Sequence, residues 1–529
     1  MKYHSKLFTL FLVSVACCCG KQPSADITPV TVPTAITVDP MEIPTTAAGG
    51  SYEIVVSAPT RPKLSGVPDW ITFKDGVFNN YKITWTLDVA ANDTYSARSA
   101  TLTVTAKDVP DVTVTVTQEG KEPEKQPEPG ENDAWALSES LGLGWNMGNH
   151  FDAFYNGTWA GDNFLMPDET CWGAAPATQK TFDGVKAAGF TSVRIPVTWL
   201  AKIGPAPEYK IDSKWLDRVY EVVQFAHKAG LNVIINTHHD ENHHSIIENG
   251  VDIDTRWQDV KNAALNAELN ASIKKEITAV WTQIATRFAD CEDWLIMEGF
   301  NEINDGGWGW SAEFRADPTK QCGVLNEWNQ TFVDAVRATG GNNAKRWLGV
   351  PTYCANPQFI QYFTMPTDPA GKTMVSVHYY DPSSYTIGAE QYSDWGHTGA
   401  SGKKDPYSDE SNVREVFGML YSGYVAKNIP VYIGEFGCSM RAQSDSRAWA
   451  FFLYYLEYIV KAAKTYGMPC FLWDNGAKGT GQEQHGYIDH GTGGFIGNSK
   501  IPVDIMVKAR FNEDASYTLQ SVYDSAPKF

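Results

Sequence analysis

From residue 134 to residue 529, short apolar runs alternate with longer stretches whose apolar residues recur at helical spacing, and few folds accept that order. The runs at 142–146, 191–195, 232–236, 294–298, 347–350, 374–378, 431–433 and 470–473 read as strands. The stretches at 178–188, 213–229, 264–289, 323–338, 411–427 and 447–465 read as helices. Strands that are apolar throughout are buried on both faces, as in parallel sheets, and each parallel connection needs a crossover long enough for a helix. Eight such strands predict a (β/α)8 barrel over 134–529.

Chemistry in that fold gathers at the C-terminal ends of the strands. The first run ends at Asn146 with Asn149 just beyond, the second carries Arg194, and the third leads into Thr237-His238-His239-Asp240. The fourth is followed by Asn301-Glu302, the sixth by His378-Tyr379-Tyr380, the seventh by Gly434-Glu435, and the eighth by Trp473-Asp474-Asn475. Seven ends of eight carry polar or aromatic groups, more than packing asks for. Two of them deliver a glutamate, and two carboxyl groups facing one bond are the minimum equipment for cleaving a glycosidic linkage. Glu302 is then expected as the general acid, its pKa raised by repulsion from the second carboxylate, and Glu435 as the ionised nucleophile, with Arg194 as its cationic partner.

Taken in order, Gly144-Trp145-Asn146-Met147-Gly148-Asn149, Val193-Arg194-Ile195-Pro196, Asn236-Thr237-His238-His239-Asp240, Asn301-Glu302, Val377-His378-Tyr379-Tyr380, Ile433-Gly434-Glu435-Phe436-Gly437 and Leu472-Trp473-Asp474-Asn475-Gly476 resemble glycoside hydrolase family 5. They fit best its endoglucanase and xyloglucanase subfamily, from Trp135 onward. The resemblance implies a retaining, two-step endo-β-1,4-glucanase acting on a β-glucan, with xyloglucan favoured over mixed-linkage glucan and soluble cellulose. It implies that Asn146, Asn149, Arg194, His238, His239, Asn301, His378, Tyr380 and Trp473 bind substrate or serve the two glutamates. Among these, Asn301 would meet the sugar 2-hydroxyl, His238 and His239 would line the cleavage subsite, and His378 and Tyr380 would position nucleophile and ring. Trp473 would stack under the sugar. No metal or organic cofactor is required. A β-mannanase or xylanase on the same fold, or a surface protein that binds glycan without cleaving it, are the other readings.

Aromatic residues make up 12% of the chain, with 18 tryptophans, and indole rings beyond core needs suit flat sugar faces. Trp159, Trp172, Trp199, Trp257, Trp308, Trp310 and Trp395 fall in loops, and Trp308-Gly309-Trp310, close behind Glu302, is the foremost platform candidate. At extended spacing its two rings face one side. The run His238-His239-Asp240-Glu241-Asn242-His243-His244 offers metal ligands, and a metallohydrolase is the rival it raises. Adjacent histidines on an extended segment point to opposite sides, which counts against it. A formal charge of −19 argues against nucleic acid and an anionic membrane surface as partners, while a neutral polysaccharide is compatible.

Residues 1–20 read as an export signal: Lys2 and Lys6 precede an apolar stretch at 7–16 that is too short to span a bilayer. Cys17-Cys18-Cys19 follows, as in bacterial lipoprotein signals, with Cys17 or Cys18 the lipidated residue. The expected location is therefore the cell surface or outer membrane, through a lipid anchor alone, with plain secretion as the alternative. Six further cysteines are widely spaced and contain no CxxC pair. Between 33 and 120, alternating β-branched and polar residues predict a small antiparallel sandwich. Pro68-Asp69-Trp70-Ile71, Arg98-Ser99-Ala100-Thr101 and the closing Val114-Thr115-Val116-Thr117-Gln118 resemble the BACON domain, an immunoglobulin-like module. With no exposed aromatic row in view, a spacer is expected rather than a glycan binder. The charged, Pro-rich segment 121–133 is an extended linker, and the chain is expected to be a monomer.

Overall fold

A computed structural model describes residues 31–92, 97–120, 132–154, 168–241, 245–248, 251–254, 256–388 and 391–529, with side chains left undescribed over 245–254. The expected signal, Cys17 and Cys18, the linker up to residue 131, Trp159, His243 and His244 lie outside these residues. The chain divides into two compact units, Met1–Lys125 and Gln126–Phe529.

The first unit holds β1 (Thr37–Asp39), β2 (Glu42–Thr45), β3 (Gly50–Ser57), β4 (Lys63–Ser65), β5 (Ile71–Lys74), β6 (Lys82–Val89), β7 (Arg98–Thr105) and β8 (Val112–Gln118). These form two four-stranded sheets, β1-β3-β6-β5 and β2-β8-β7-β4. Alternation in the sequence becomes alternation of burial: in β6, Ile83, Trp85, Leu87 and Val89 point inward to meet Leu102, Val104, Val114 and Val116 of the facing sheet. One pair departs from the antiparallel expectation, because β2 runs parallel to β8. β1 pairs with β3 in one sheet and β2 with β8 in the other, so the chain changes sheet across the two residues between them. Among the described residues of this unit the exposed large apolar side chains are Val32, Met41, Val55 and Val77, none aromatic.

The second unit is a closed barrel of eight parallel strands: β9 (Leu143–Met147), β10 (Ser192–Ile195), β11 (Asn232–Asn236), β14 (Leu295–Glu298), β15 (Leu348–Pro351), β16 (Thr373–Tyr379), β17 (Val431–Phe436) and β18 (Cys470–Asp474). A hairpin of β12 (Ser245–Glu248) and β13 (Val251–Asp254) intervenes after β11. Nearly every barrel-strand residue is buried, because the inner faces meet each other and the outer faces meet helices. Inside, Ile234, Ile296, Met374, Tyr432 and Phe471 pack together, and Leu141 from the helix Asp133–Leu141 joins them. The expected helix over 264–289 begins at Ala267, where Asn266 caps the backbone N–H groups of Glu268 and Leu269. Helix Ser213–Lys228 is likewise capped, by Asp212. Such ends fix where each crossover stops and the next strand begins.

Candidate active site

A local irregularity in β17 aims the second glutamate. Tyr432 points into the barrel core, so strict alternation would turn Glu435 away from it. The pairing with β16 slips: Val377 lies opposite Ile433, yet His378 lies opposite Glu435. Gly434 is the extra residue, and this bulge turns Glu435 toward the barrel mouth. A side chain at Gly434 would come within 3.1 Å of His378 Nε2 and 3.2 Å of Ser376 Oγ. Its carbonyl accepts a hydrogen bond of 2.9 Å from Asn146 Nδ2.

Arg194, fully buried on β10, ties the site together. Its Nε donates to Glu298 Oε2 at 2.7 Å, Nη1 to Glu435 Oε1 at 2.8 Å and to Asn146 Oδ1 at 3.0 Å, and Nη2 to Asn301 Oδ1 at 2.8 Å. Burial opposes its charge, but Glu298 and Glu435 more than compensate and hold its pKa above the ordinary value. Glu435 also accepts from the Tyr380 hydroxyl at 3.0 Å. Glu302, four residues past β14, has Oε1 2.6 Å from His378 Nδ1, and the same nitrogen is 3.6 Å from Glu435 Oε2. Ligating atoms of Glu302, His378 and Glu435 all fall within 4.8 Å of one another.

Burial pushes the Glu302 pKa up to about 7, with Arg194 lowering it and Glu298 raising it further. The expected source of that shift was the second carboxylate of the pair; the structure gives the main part to desolvation instead. Glu435 is raised by burial and by Glu302, against the pull of His378 and Arg194. Burial lowers His378 and His239 to about 4, so both rings are neutral near pH 7.

These groups line a cleft of about 540 Å³ together with His238, Trp308, Trp310, Trp473, Cys354, Asp381, Glu483 and His485. Trp308 and Trp310 are 52% and 72% exposed. The segment is a turn rather than an extended run: Trp310 N donates to Gly307 O, and Trp308 and Gly309 both adopt positive φ, 52° and 82°. A side chain at Gly309 would lie 2.4 Å from Phe359, so glycine is required there. The Trp473 ring lies parallel to that of His238, at 6.0 Å.

Several expected roles shift. Asn146 has no exposed surface and lies beneath the cleft, donating to Gly434 and Phe471 carbonyls, so it braces the barrel instead of touching substrate. Arg194 likewise acts through Glu435 and Asn301 and not on a ligand. Asn149 turns the loop after β9, at φ 56°, with its N–H donating to Asp152. Trp199, Trp257 and Trp395 are core residues: Trp199 bonds the Asn236 carbonyl, Trp257 bonds Asp240, and Trp395 packs among Tyr454, Tyr455 and Tyr458. Trp172 is half-buried, against Phe154 and His239. His238 and His239 do not point apart: both line the cleft, with ring centroids 4.4 Å apart, because β11 ends at Asn236 and the backbone is no longer extended there.

Among the described residues, Asp152, His238 and His239 also place ligating atoms within 4.8 Å. Asp152 accepts from the backbone N–H groups of Asn149 and His150 with one oxygen each, which fixes the turn after β9. The six described cysteines are free thiols. Glu298, Cys354, Glu483 and His485 were not anticipated. For Glu298 a signal existed, a carboxylate in the inward register of an apolar strand; the others sit outside the strands, Cys354 in a short 3-10 turn, with no telling spacing.

The profile of the family described as "Cellulase (glycosyl hydrolase family 5)" matches residues 157–479, and that of BACON, "Putative binding domain, N-terminal", matches 65–119. Endoglucanase A of Paenibacillus barcinonensis is 35% identical over 366 residues, covering 66% of this chain and 84% of that protein. A xyloglucan-specific endo-β-1,4-glucanase of Bacteroides ovatus is 33% identical over 454 residues, 81% of this chain and 84% of its own length. Among solved structures, a Bacteroidetes-affiliated family 5 cellulase linked with a polysaccharide utilization locus is 44% identical with a TM-score of 0.70. It covers 76% of this chain and 99% of its own.

Proposed function

The chain belongs to glycosyl hydrolase family 5, and from that premise we propose that it is a retaining endo-β-1,4-glucanase whose preferred substrate is xyloglucan or a related β-glucan. The observation that carries the retaining route is the approach of Glu302 and Glu435, with carboxylate oxygens within 4.8 Å. Retaining sites hold the pair about 5 Å apart, whereas inverting sites keep about 6.5–9.5 Å to admit a water.

In the first step Glu302 gives its proton to the glycosidic oxygen while a Glu435 oxygen bonds the anomeric carbon and the aglycone leaves. In the second, Glu302, now a base, takes a proton from water as that water displaces Glu435. Arg194 and the Tyr380 hydroxyl hold one Glu435 oxygen each, which aims the attack and stabilises the carboxylate that leaves. Because Arg194 fixes the Asn301 carbonyl oxygen, the amide NH2 is the end left for a sugar hydroxyl. Trp308 and Trp310 supply stacking surface next to Glu302.

The preference for xyloglucan is supported by the Bacteroides ovatus relative, which matches across most of both chains. Chromatography of products from xyloglucan, mixed-linkage glucan, carboxymethylcellulose, mannan and xylan tests it. Xyloglucan oligosaccharides are expected as the fastest-formed products; faster release from mannan or xylan overturns the reading.

A pH profile follows from the same groups. Glu302 must be protonated in the first step, so kcat/KM is expected to fall as pH rises through about 7. Glu435 must be ionised, and since burial raises it, the acid limb should lie above the ordinary carboxylate range. Initial rates between pH 4 and 9 check both limbs, and a rate still rising at pH 9 would contradict the assignment of Glu302.

A further inference from the structure

Glu298 has no exposed surface and lies below the cleft, yet it grips the same guanidinium as the nucleophile. We propose that Glu298 is a positioning residue: by anchoring Arg194 it orients Glu435 and Asn301 and divides the arginine charge between two carboxylates. This deepens the function proposed above and rests on it.

Four hydrogen bonds fix the planar Arg194 head, and Glu298 supplies the acceptor for Nε. Glu298 is itself held from β16, two strands along from β14 in the direction away from β10, where Ser376 Oγ donates to its Oε1 at 2.6 Å. One carboxylate therefore links β14 to β10 and β16, and through Arg194 to β17. A planar fork held at Nε has little freedom to tilt, so the Nη atoms meet Glu435 and Asn301 in one arrangement. Glu298 also carries charge. Arg194 is one cation between two anions, and Glu298 adds to the field that keeps the proton on Glu302.

Removing that charge while keeping the shape has a definite sign. In Glu298→Gln the introduced amide oxygen can still accept from Arg194 Nε, but without its charge it holds the fork less firmly, and its NH2 group donates to a rotated Ser376 hydroxyl. The Arg194 charge then faces one carboxylate, Glu435, which favours the ionised nucleophile, and Glu302 loses a neighbouring negative charge. Both limbs of the pH profile should move to lower pH. Other groups that act on Glu302 or Glu435 are His238, whose Nε2 lies 4.0 Å from Glu435 Oε1, His378, Tyr380, Glu241 and Cys354, and the substitution leaves all of them in place.

The test uses the full chain on a soluble β-glucan, with wild type assayed alongside; wild type without hydrolysis would sink the function itself, not this inference. For Glu298→Gln the expected result is about tenfold or greater loss of kcat, KM within about twofold, and both limbs lower by about half a unit or more. A profile that coincides with wild type overturns the role. Glu298→Asp keeps the charge and shortens the reach, so kcat should fall by a similar factor with both limbs unmoved. Wild-type kcat in Glu298→Asp overturns the positioning claim even if the amide variant fails to fold.

Discussion

Replacement of Glu435 by glycine is expected to reduce hydrolysis on the order of 10⁴-fold or more, the scale on which loss of a covalent nucleophile acts. Replacement of Glu302 by alanine should cost about 10²–10⁴-fold on natural glucans, as loss of a general acid does. The two losses are of different kinds, and azide separates them. In Glu435→Gly the vacated space admits azide on the face from which the carboxylate attacked. One displacement of an activated aryl oligosaccharide by azide, with aryl oxide leaving, then gives the α-glycosyl azide. In Glu302→Ala the nucleophile remains, and an aryl oxide departs without protonation, so the covalent intermediate still forms. Azide then displaces Glu435 from the opposite face and gives the β-glycosyl azide. Proton NMR of the anomeric hydrogens reads the outcome directly. Exchanged anomers would reverse the assignment, the same anomer from both variants would abolish it, and wild-type turnover in either would remove that glutamate from the mechanism.

The barrel was legible because parallel strands buried on both faces leave continuous apolar runs, and eight of them leave one closed architecture. Glu302 was legible because it directly follows an amide past such a run. Glu435 could be named, but how it faces the cleft could not. Its orientation rests on the bulge at Gly434, and a glycine before a strand end looks the same whether or not the register slips. Burial separated the tryptophans. Trp199 and Trp310 both lie in loops that follow barrel strands, yet one is sealed against Asn236 and the other stands in solvent. That outcome depends on which neighbouring loop folds over the ring, a tertiary fact with no local trace. Roles were blurred for a related reason. Asn146 and Arg194 belong to the motifs of the site, but the pattern does not distinguish a residue that touches sugar from one that holds another in place.

Arg194→Lys is expected to cost nearly as much activity as loss of a glutamate, and more stability. The lysine ammonium is a compact donor and cannot span the Glu298, Glu435 and Asn301 acceptors that the arginine fork meets at 2.7–2.8 Å. At least one buried carboxylate loses its partner, and breaking such a pair costs about 3–5 kcal/mol. Arg194→Met removes the cation altogether and makes the pH dependence diagnostic. In wild type Arg194 opposes the burial that raises Glu435, so without the cation the folded-state pKa of Glu435 rises further. A carboxyl group whose folded pKa exceeds its unfolded value lends stability below the unfolded value and loses it as pH climbs through the folded one. The melting temperature of Arg194→Met should therefore lie close to wild type near pH 4 and fall progressively behind it toward pH 8. Calorimetric scans across that range decide the matter. A constant deficit at every pH would mean that Arg194 serves as packing, and that Glu435 stays ionised without it.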